Sequence, residues 1–66
     1  MQVIINGEPH QVTGPLSLAQ AVALLTSAQA GVAAAVNGDV IRRAAWKSTP
    51  LTDGDEVEVL TAVQGG

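Results

Sequence analysis

Asp53-Gly54-Asp55-Glu56-Val57-Glu58-Val59-Leu60 is the stretch whose reading decides the fold. Asp53-Gly54 has turn composition, and Glu56 to Val59 then alternates charged and apolar residues, the pattern of a strand with one buried face. Val57 and Val59 are therefore expected to point into a core, with Glu58 and Leu60 pointing out. A second strand pattern opens the chain. Val3-Ile4-Ile5 is β-branched and ends in Asn6-Gly7, a tight hairpin turn. Alternation places Met1, Val3 and Ile5 on the core face and Gln2, Ile4 and Asn6 on the other. His10 to Thr13 is the expected returning strand, closed by Gly14-Pro15.

Between these two strand patterns the period changes. Ser17 with Gln20 three residues on matches a capping box, and Leu16 and Ala21 are placed to form the hydrophobic staple around it. Leu18, Ala21, Val22 and Leu25 then fall on one helical face. The helix is expected to fade between Ser27 and Ala30, with Gly31 as a left-handed stop. Val32 to Val36 has helix-favouring alanines, yet its short length, Gly31 before it and Asn37-Gly38 after it favour a buried strand. Val40 to Arg43 reads as a short strand or extended piece. Ala44 to Lys47 holds the lone Trp, and Thr49 to Thr52 is irregular.

Hairpin, helix, strand, small elements and final strand form an α+β order. One amphipathic helix across one face of a four- or five-stranded mixed sheet buries both apolar faces. The first and last strands then lie parallel and adjacent at the sheet centre, which is the β-grasp arrangement. At 66 residues the chain is one domain, expected over 1–62 with a flexible tail over 63–66.

Composition narrows the function. The chain is 47% hydrophobic and 14% charged, which is globular and not disordered. It has no Cys, so it offers no thiol nucleophile, persulfide or thiolate-bound metal. With no Tyr and one His, general acids and bases are scarce. A net charge of −3 disfavours nucleic acid and anionic membranes as partners. The start lacks the basic and long apolar segments of a secretory signal, and no apolar run suffices for a bilayer span, so a cytoplasmic location is expected.

The best-equipped place for chemistry is Gly65-Gly66. Two residues without Cβ atoms make a thin, extendable tail that can enter a narrow slot and present an unshielded carboxylate. That group is ionised at neutral pH and inert to nucleophiles until another protein activates it, as an acyl-adenylate made from ATP. The plain alternative is that two glycines merely fray.

Asp53-Gly54-Asp55-Glu56-Val57-Glu58-Val59 followed by Thr61-Ala62-Val63-Gln64-Gly65-Gly66 resembles the end of the ThiS family, the sulfur carrier proteins of thiamine biosynthesis. Ala35-Val36-Asn37-Gly38, Val40, Arg42, Trp46 and the opening Met1 to Gly7 also sit where that family places such residues. The resemblance covers the whole chain and implies a ubiquitin-like β-grasp fold. It implies that an E1-like adenylyltransferase of the ThiF type adenylates Gly66 with ATP and magnesium, no cofactor being resident in the carrier. Sulfur from cysteine, relayed by a cysteine desulfurase, then gives a thiocarboxylate, and a thiazole synthase of the ThiG type receives the sulfur. Gly66 becomes the covalent site, with Val63, Gln64 and Gly65 as its tail; the carrier is a co-substrate and not an enzyme. The small subunit of molybdopterin synthase shares fold and ending, but often carries Pro-Pro where this chain has Thr61-Ala62. A ubiquitin-like interaction module with an incidental Gly-Gly is the third reading.

A carrier must also dock. Ile4 and Leu60 are expected to form an apolar patch beside the tail, with Ala33 or Ala35 as a flat floor. Asp53, Asp55, Glu56 and Glu58 could steer the tail towards a basic enzyme surface, although a turn and a solvated strand face explain them more simply. His10 has no second His or Cys with which to share a metal and is expected at a surface or edge. Trp46 is expected to anchor the irregular segment by packing.

Overall fold

Two Asn-Gly turns set out the sheet. The computed structural model describes residues 1–27 and 30–61. β1 (Gln2–Ile5) turns at Asn6-Gly7 into antiparallel β2 (Glu8–Gln11), with Ile5 opposite Glu8 and Val3 opposite His10. β3 (Val32–Val36) turns at Asn37-Gly38 into antiparallel β4 (Asp39–Ile41). Asn6 and Asn37 take φ of 51° and 49°, and the glycines after them 83° and 87°. Both central residues of each turn are thus left-handed, as a two-residue hairpin in a right-twisted sheet requires.

β5 (Glu56–Thr61) lies between the hairpins, parallel to β1 and antiparallel to β3, giving the order β2-β1-β5-β3-β4. The expected parallel pairing of first and last strands is therefore found, and β3 is the strand that its flanking turns foretold.

The returning strand differs from expectation. It starts at Glu8 and takes in Pro9, rather than running from His10 to Thr13. A two-residue turn makes the residue after Gly7 pair at once. Pro9 is tolerated because β2 is an edge strand, and because Ile4–Pro9 is a pair without mutual hydrogen bonds, so the missing N–H would face solvent.

α1 (Leu18–Leu25) begins with the expected capping box: the Gln20 N–H donates to Ser17 Oγ (3.2 Å), and the Ser17 N–H donates to Gln20 Oε1 (2.9 Å). It stops sooner than expected. Thr26 is the C-cap in an extended conformation, which suits a β-branched residue, and its N–H donates to the Val22 carbonyl. Gly31 has a positive φ of 72° but is not the cap. Leu18, Ala21 and Val22 are buried, whereas Leu25 is 44% exposed and not a core residue. This short helix outreaches the small core in its last turn.

After β4 the chain forms a 3-10 helix, η1 (Arg43–Ser48), so the expected extended run ends at Ile41 and Arg43 belongs to η1. Trp46 is 6% exposed, and its Nε1 donates to the Ile41 carbonyl at 2.8 Å. It packs with Leu18, Val22, Leu51, Val3, Ile5, Ala34, Val57 and Val59 in one core. Met1 is half-buried against that core, so the expected faces of β1 and β5 hold.

Candidate functional site

The strand that leads to the tail is the central one of the five, paired with β1 on one side and β3 on the other. β5 is longer than β1. The register pairs Ile4 with Glu56 and Ile5 with Val57, and then β1 turns away. Val59 would be left with unpaired backbone groups on that side. The Asn6 carboxamide takes the place of the next peptide: its Nδ2 donates to the Val59 carbonyl (3.1 Å), and its Oδ1 accepts from the Val59 N–H (2.8 Å). The left-handed backbone of Asn6 turns its side chain back along β5.

The other Asn-Gly turn grips the start of β5. Asn37 Oδ1 accepts from the Glu56 N–H (3.0 Å), the Asn37 N–H donates to the Glu56 carbonyl (2.7 Å), and Asn37 Nδ2 donates to Asp55 Oδ1 (3.0 Å). Asp55 also accepts from the Thr52 N–H (2.8 Å) and hydroxyl (3.2 Å). The Thr52 N–H, against a smaller opposing effect of burial, holds the Asp55 carboxyl below its usual 3.8, with help from Asn37 and the Thr52 hydroxyl. Asp53 Oδ1 accepts from the Gln2 N–H (2.7 Å). Asp53 and Asp55 thus close the turn, while Glu56 and Glu58 are exposed.

Leu60 pairs with Ala33 and Glu58 with Ala35, so all four side chains share the face of the sheet away from α1. A shallow depression of about 210 Å³ lies there, lined by Ala33, Ala35, Gly38, Val40, Glu58 and Leu60. Leu60 and Val40 are 71% and 80% exposed. The structure therefore brings Leu60, Ala33 and Ala35 together. Ile4 shares the face but sits beside Glu56, about 13 Å along β5 from Leu60 at ~3.3 Å per residue, and so is separate from this depression. Gly66, Gly65, Gln64 and Val63, with the boundary expected after residue 62, lie outside the described residues.

Sequence reading missed Val40 and the two asparagine side chains. Val40 was within reach: counting across the Asn37-Gly38 turn puts it opposite Ala35, on the outward face. Asn6 and Asn37 read only as turn residues. His10 is on edge strand β2, as expected; it is half-buried opposite Val3, and its Nε2 has no hydrogen-bond partner. Among the described residues no group of His, Cys, Asp or Glu is placed to hold a metal, and no helix is long and apolar enough to cross a membrane.

Comparison with known proteins agrees over the length of the chain. The ThiS family model matches residues 3–66. The sulfur carrier protein ThiS of Escherichia coli is 27% identical over 66 residues, covering all of both chains. The uncharacterized protein ycf40 of Porphyra purpurea is 33% identical, over all of this chain and 93% of its own. The crystal structure of the thiamine biosynthesis protein ThiS from Geobacter metallireducens superimposes with a TM-score of 0.78 at 38% identity, over the whole of both chains.

Proposed function

The chain belongs to the ThiS family of sulfur carriers in thiamine biosynthesis, and from that membership we propose that it carries sulfur as a thiocarboxylate on Gly66 for thiazole formation. An E1-like activating enzyme supplies ATP and magnesium. An oxygen of the Gly66 carboxylate attacks the α-phosphorus of ATP, pyrophosphate leaves, and an acyl-adenylate remains. The outer sulfur of a persulfide, relayed from cysteine by a desulfurase, adds to the carbonyl and AMP departs. A thiol then attacks the resulting acyl disulfide at its inner sulfur, leaving the thiocarboxylate on Gly66 and a disulfide between the two thiol carriers. One oxygen has been exchanged for one sulfur, which the thiazole synthase then accepts. We place this exchange in the cytoplasm. The folded part contributes grip and aim, and the chemistry belongs to the partner enzymes.

The observation that carries this reading is the clamping of β5 up to its end. Asn6 holds both backbone groups of Val59, and β3 pairs through Thr61, directly before the segment that ends in Gly65-Gly66. A reactive end on so fixed a base can be delivered into a slot without reordering the domain. The absence of Cys fits too, since no internal thiol competes for the activated carbonyl. Leu60, Ala33, Ala35 and Val40 form the docking patch beside the tail, with Ile4 at the far end of the same face. The deciding experiment is intact-mass spectrometry after incubation with the activating enzyme, ATP and a sulfur source. Replacement of one oxygen by sulfur, localised to Gly66 by fragmentation, is expected; a chain of unchanged mass, or sulfur placed elsewhere, refutes the reading.

A further inference from the structure

The two edges of β5 are held unequally towards its end. On one edge β3 follows it throughout, with Val59 opposite Ala34, Leu60 opposite Ala33 and Thr61 opposite Val32. On the other edge the strand pairs with β1 stop at Ile5–Val57. There the Asn6 N–H donates to the Val57 carbonyl at 2.9 Å, and the Asn6 carboxamide reaches on to Val59. Among the described residues Val59 is therefore the last of β5 gripped on both edges. Without the carboxamide that point retreats to Val57, about 7 Å back along the strand at ~3.3 Å per residue. A strand end held along one edge alone can swing about that edge.

We propose that Asn6 is a positioning residue for the chemistry at Gly66. By holding Val59 it fixes the direction in which the chain leaves the fold after Thr61, and so the place at which an enzyme docked on the domain meets the terminal carboxylate. This role rests on the carrier reading above. Release of Val59 has two effects of different size. The chain between the last doubly gripped residue and Gly66 lengthens from the seven residues 60–66 to the nine residues 58–66, which dilutes a tethered end by less than about twofold. Loss of aim acts more strongly, since a misplacement of about 1 Å at the reacting atoms can cost up to about 100-fold. Because β3 still holds Leu60 beside Ala33, the docking patch keeps its shape. The loss then falls on kcat, which counts the docked complexes whose carboxylate reaches the α-phosphorus, and not on KM, which follows the docked face.

The test is carrier-dependent ATP–pyrophosphate exchange by the purified activating enzyme, with the carrier as the varied substrate. Asn6→Gly removes the carboxamide and suits the left-handed φ of 51°. Asn37→Gly is its control, because it removes the carboxamide that grips Glu56 at the other end of β5, from a φ of 49°. It loses stability by the same kind of missing hydrogen bond. Asn6→Asp keeps an acceptor for the Val59 N–H but no donor for the Val59 carbonyl, and it decides the matter if the glycine variant does not fold. The amide spectrum of each chain establishes that it is folded before assay. Asn6→Gly is expected to lower kcat about three- to tenfold with KM within about twofold of the parent. Asn6→Asp is expected to lower kcat by more than about twofold as well, and Asn37→Gly to keep kcat within about twofold. Equal kcat losses in Asn6→Gly and Asn37→Gly overturn the proposal, because the loss then follows stability. A kcat loss below about twofold in the Asn6 variants that fold overturns it too, since chain length alone accounts for that much. So does a rise in KM larger than the fall in kcat, which makes Asn6 a contact for the enzyme. The carrier reading fails by a different result, a parent chain that supports no exchange.

Discussion

The Asn6 carboxamide stands in for a peptide group that β1 no longer supplies, and this one side chain carries the parallel pairing two residues beyond Val57. Replacing it with Ala leaves the Val59 N–H and carbonyl without protein partners, at a cost of about 1–3 kcal/mol. Ala at a φ of 51° adds about 1–2 kcal/mol of backbone strain. Asn6→Gly removes the strain and keeps the loss of hydrogen bonds. Urea unfolding is therefore expected to rank the parent above Asn6→Gly and Asn6→Gly above Asn6→Ala, and amide exchange at Val59 should accelerate in both variants. A glycine variant as stable as the parent would show that the clamp contributes nothing. This role was not legible in the sequence. It follows from the register between strands at opposite ends of the chain, whereas an Asn-Gly pair by itself announces only a turn.

Elements whose signals are local matched the reading, whereas the bounds of β2 and the buried reach of α1, which their neighbours set, did not. The Ser17–Gln20 capping box is complete within four residues, and the alternation of Glu56 to Val59 states its own faces. β2 starts at Glu8 and not at His10 because the two-residue turn and the free sheet edge accept Pro9 into a strand. The α1 face was judged by period alone. Periodicity gives the direction in which Leu25 points, not how far the core extends beneath it. Outward alternation on β5 carries a prediction about docking. Leu60 contributes nothing to the core, so Leu60→Asp should change stability by no more than about 0.5 kcal/mol. The same change puts a charge beside Ala33, in the floor of the apolar depression, and should weaken binding to the activating enzyme about tenfold or more. Circular dichroism and calorimetry together decide it: a collapsed fold would refute the face assignment, and unchanged affinity would remove Leu60 from the docking patch.

For the whole molecule, the separation of duties between core and surface depends on very few large side chains. A chain of this length has a total stability of about 3–10 kcal/mol, with no Cys to add a disulfide to it. The core is aliphatic except for Trp46, which joins η1 to α1 and the sheet and satisfies its ring N–H on Ile41. That anchor is legible in the sequence because few other large side chains are present to fill the core, whereas the Gly-Gly end, singled out because no other group is equipped for chemistry, lies outside the described residues. Trp46→Ala should cost about 3–5 kcal/mol, comparable with everything that holds the fold together. We expect that variant to lose most of its amide dispersion in a ¹H–¹⁵N spectrum and its sulfur loading with it, while Trp46→Phe retains the fold. The contrast with Leu60→Asp is the point of the experiment, since one variant fails as a folded body and the other as a docking surface. A Trp46→Ala chain that keeps a dispersed spectrum and unfolds within about 1 kcal/mol of the parent would mean that the aliphatic core suffices alone.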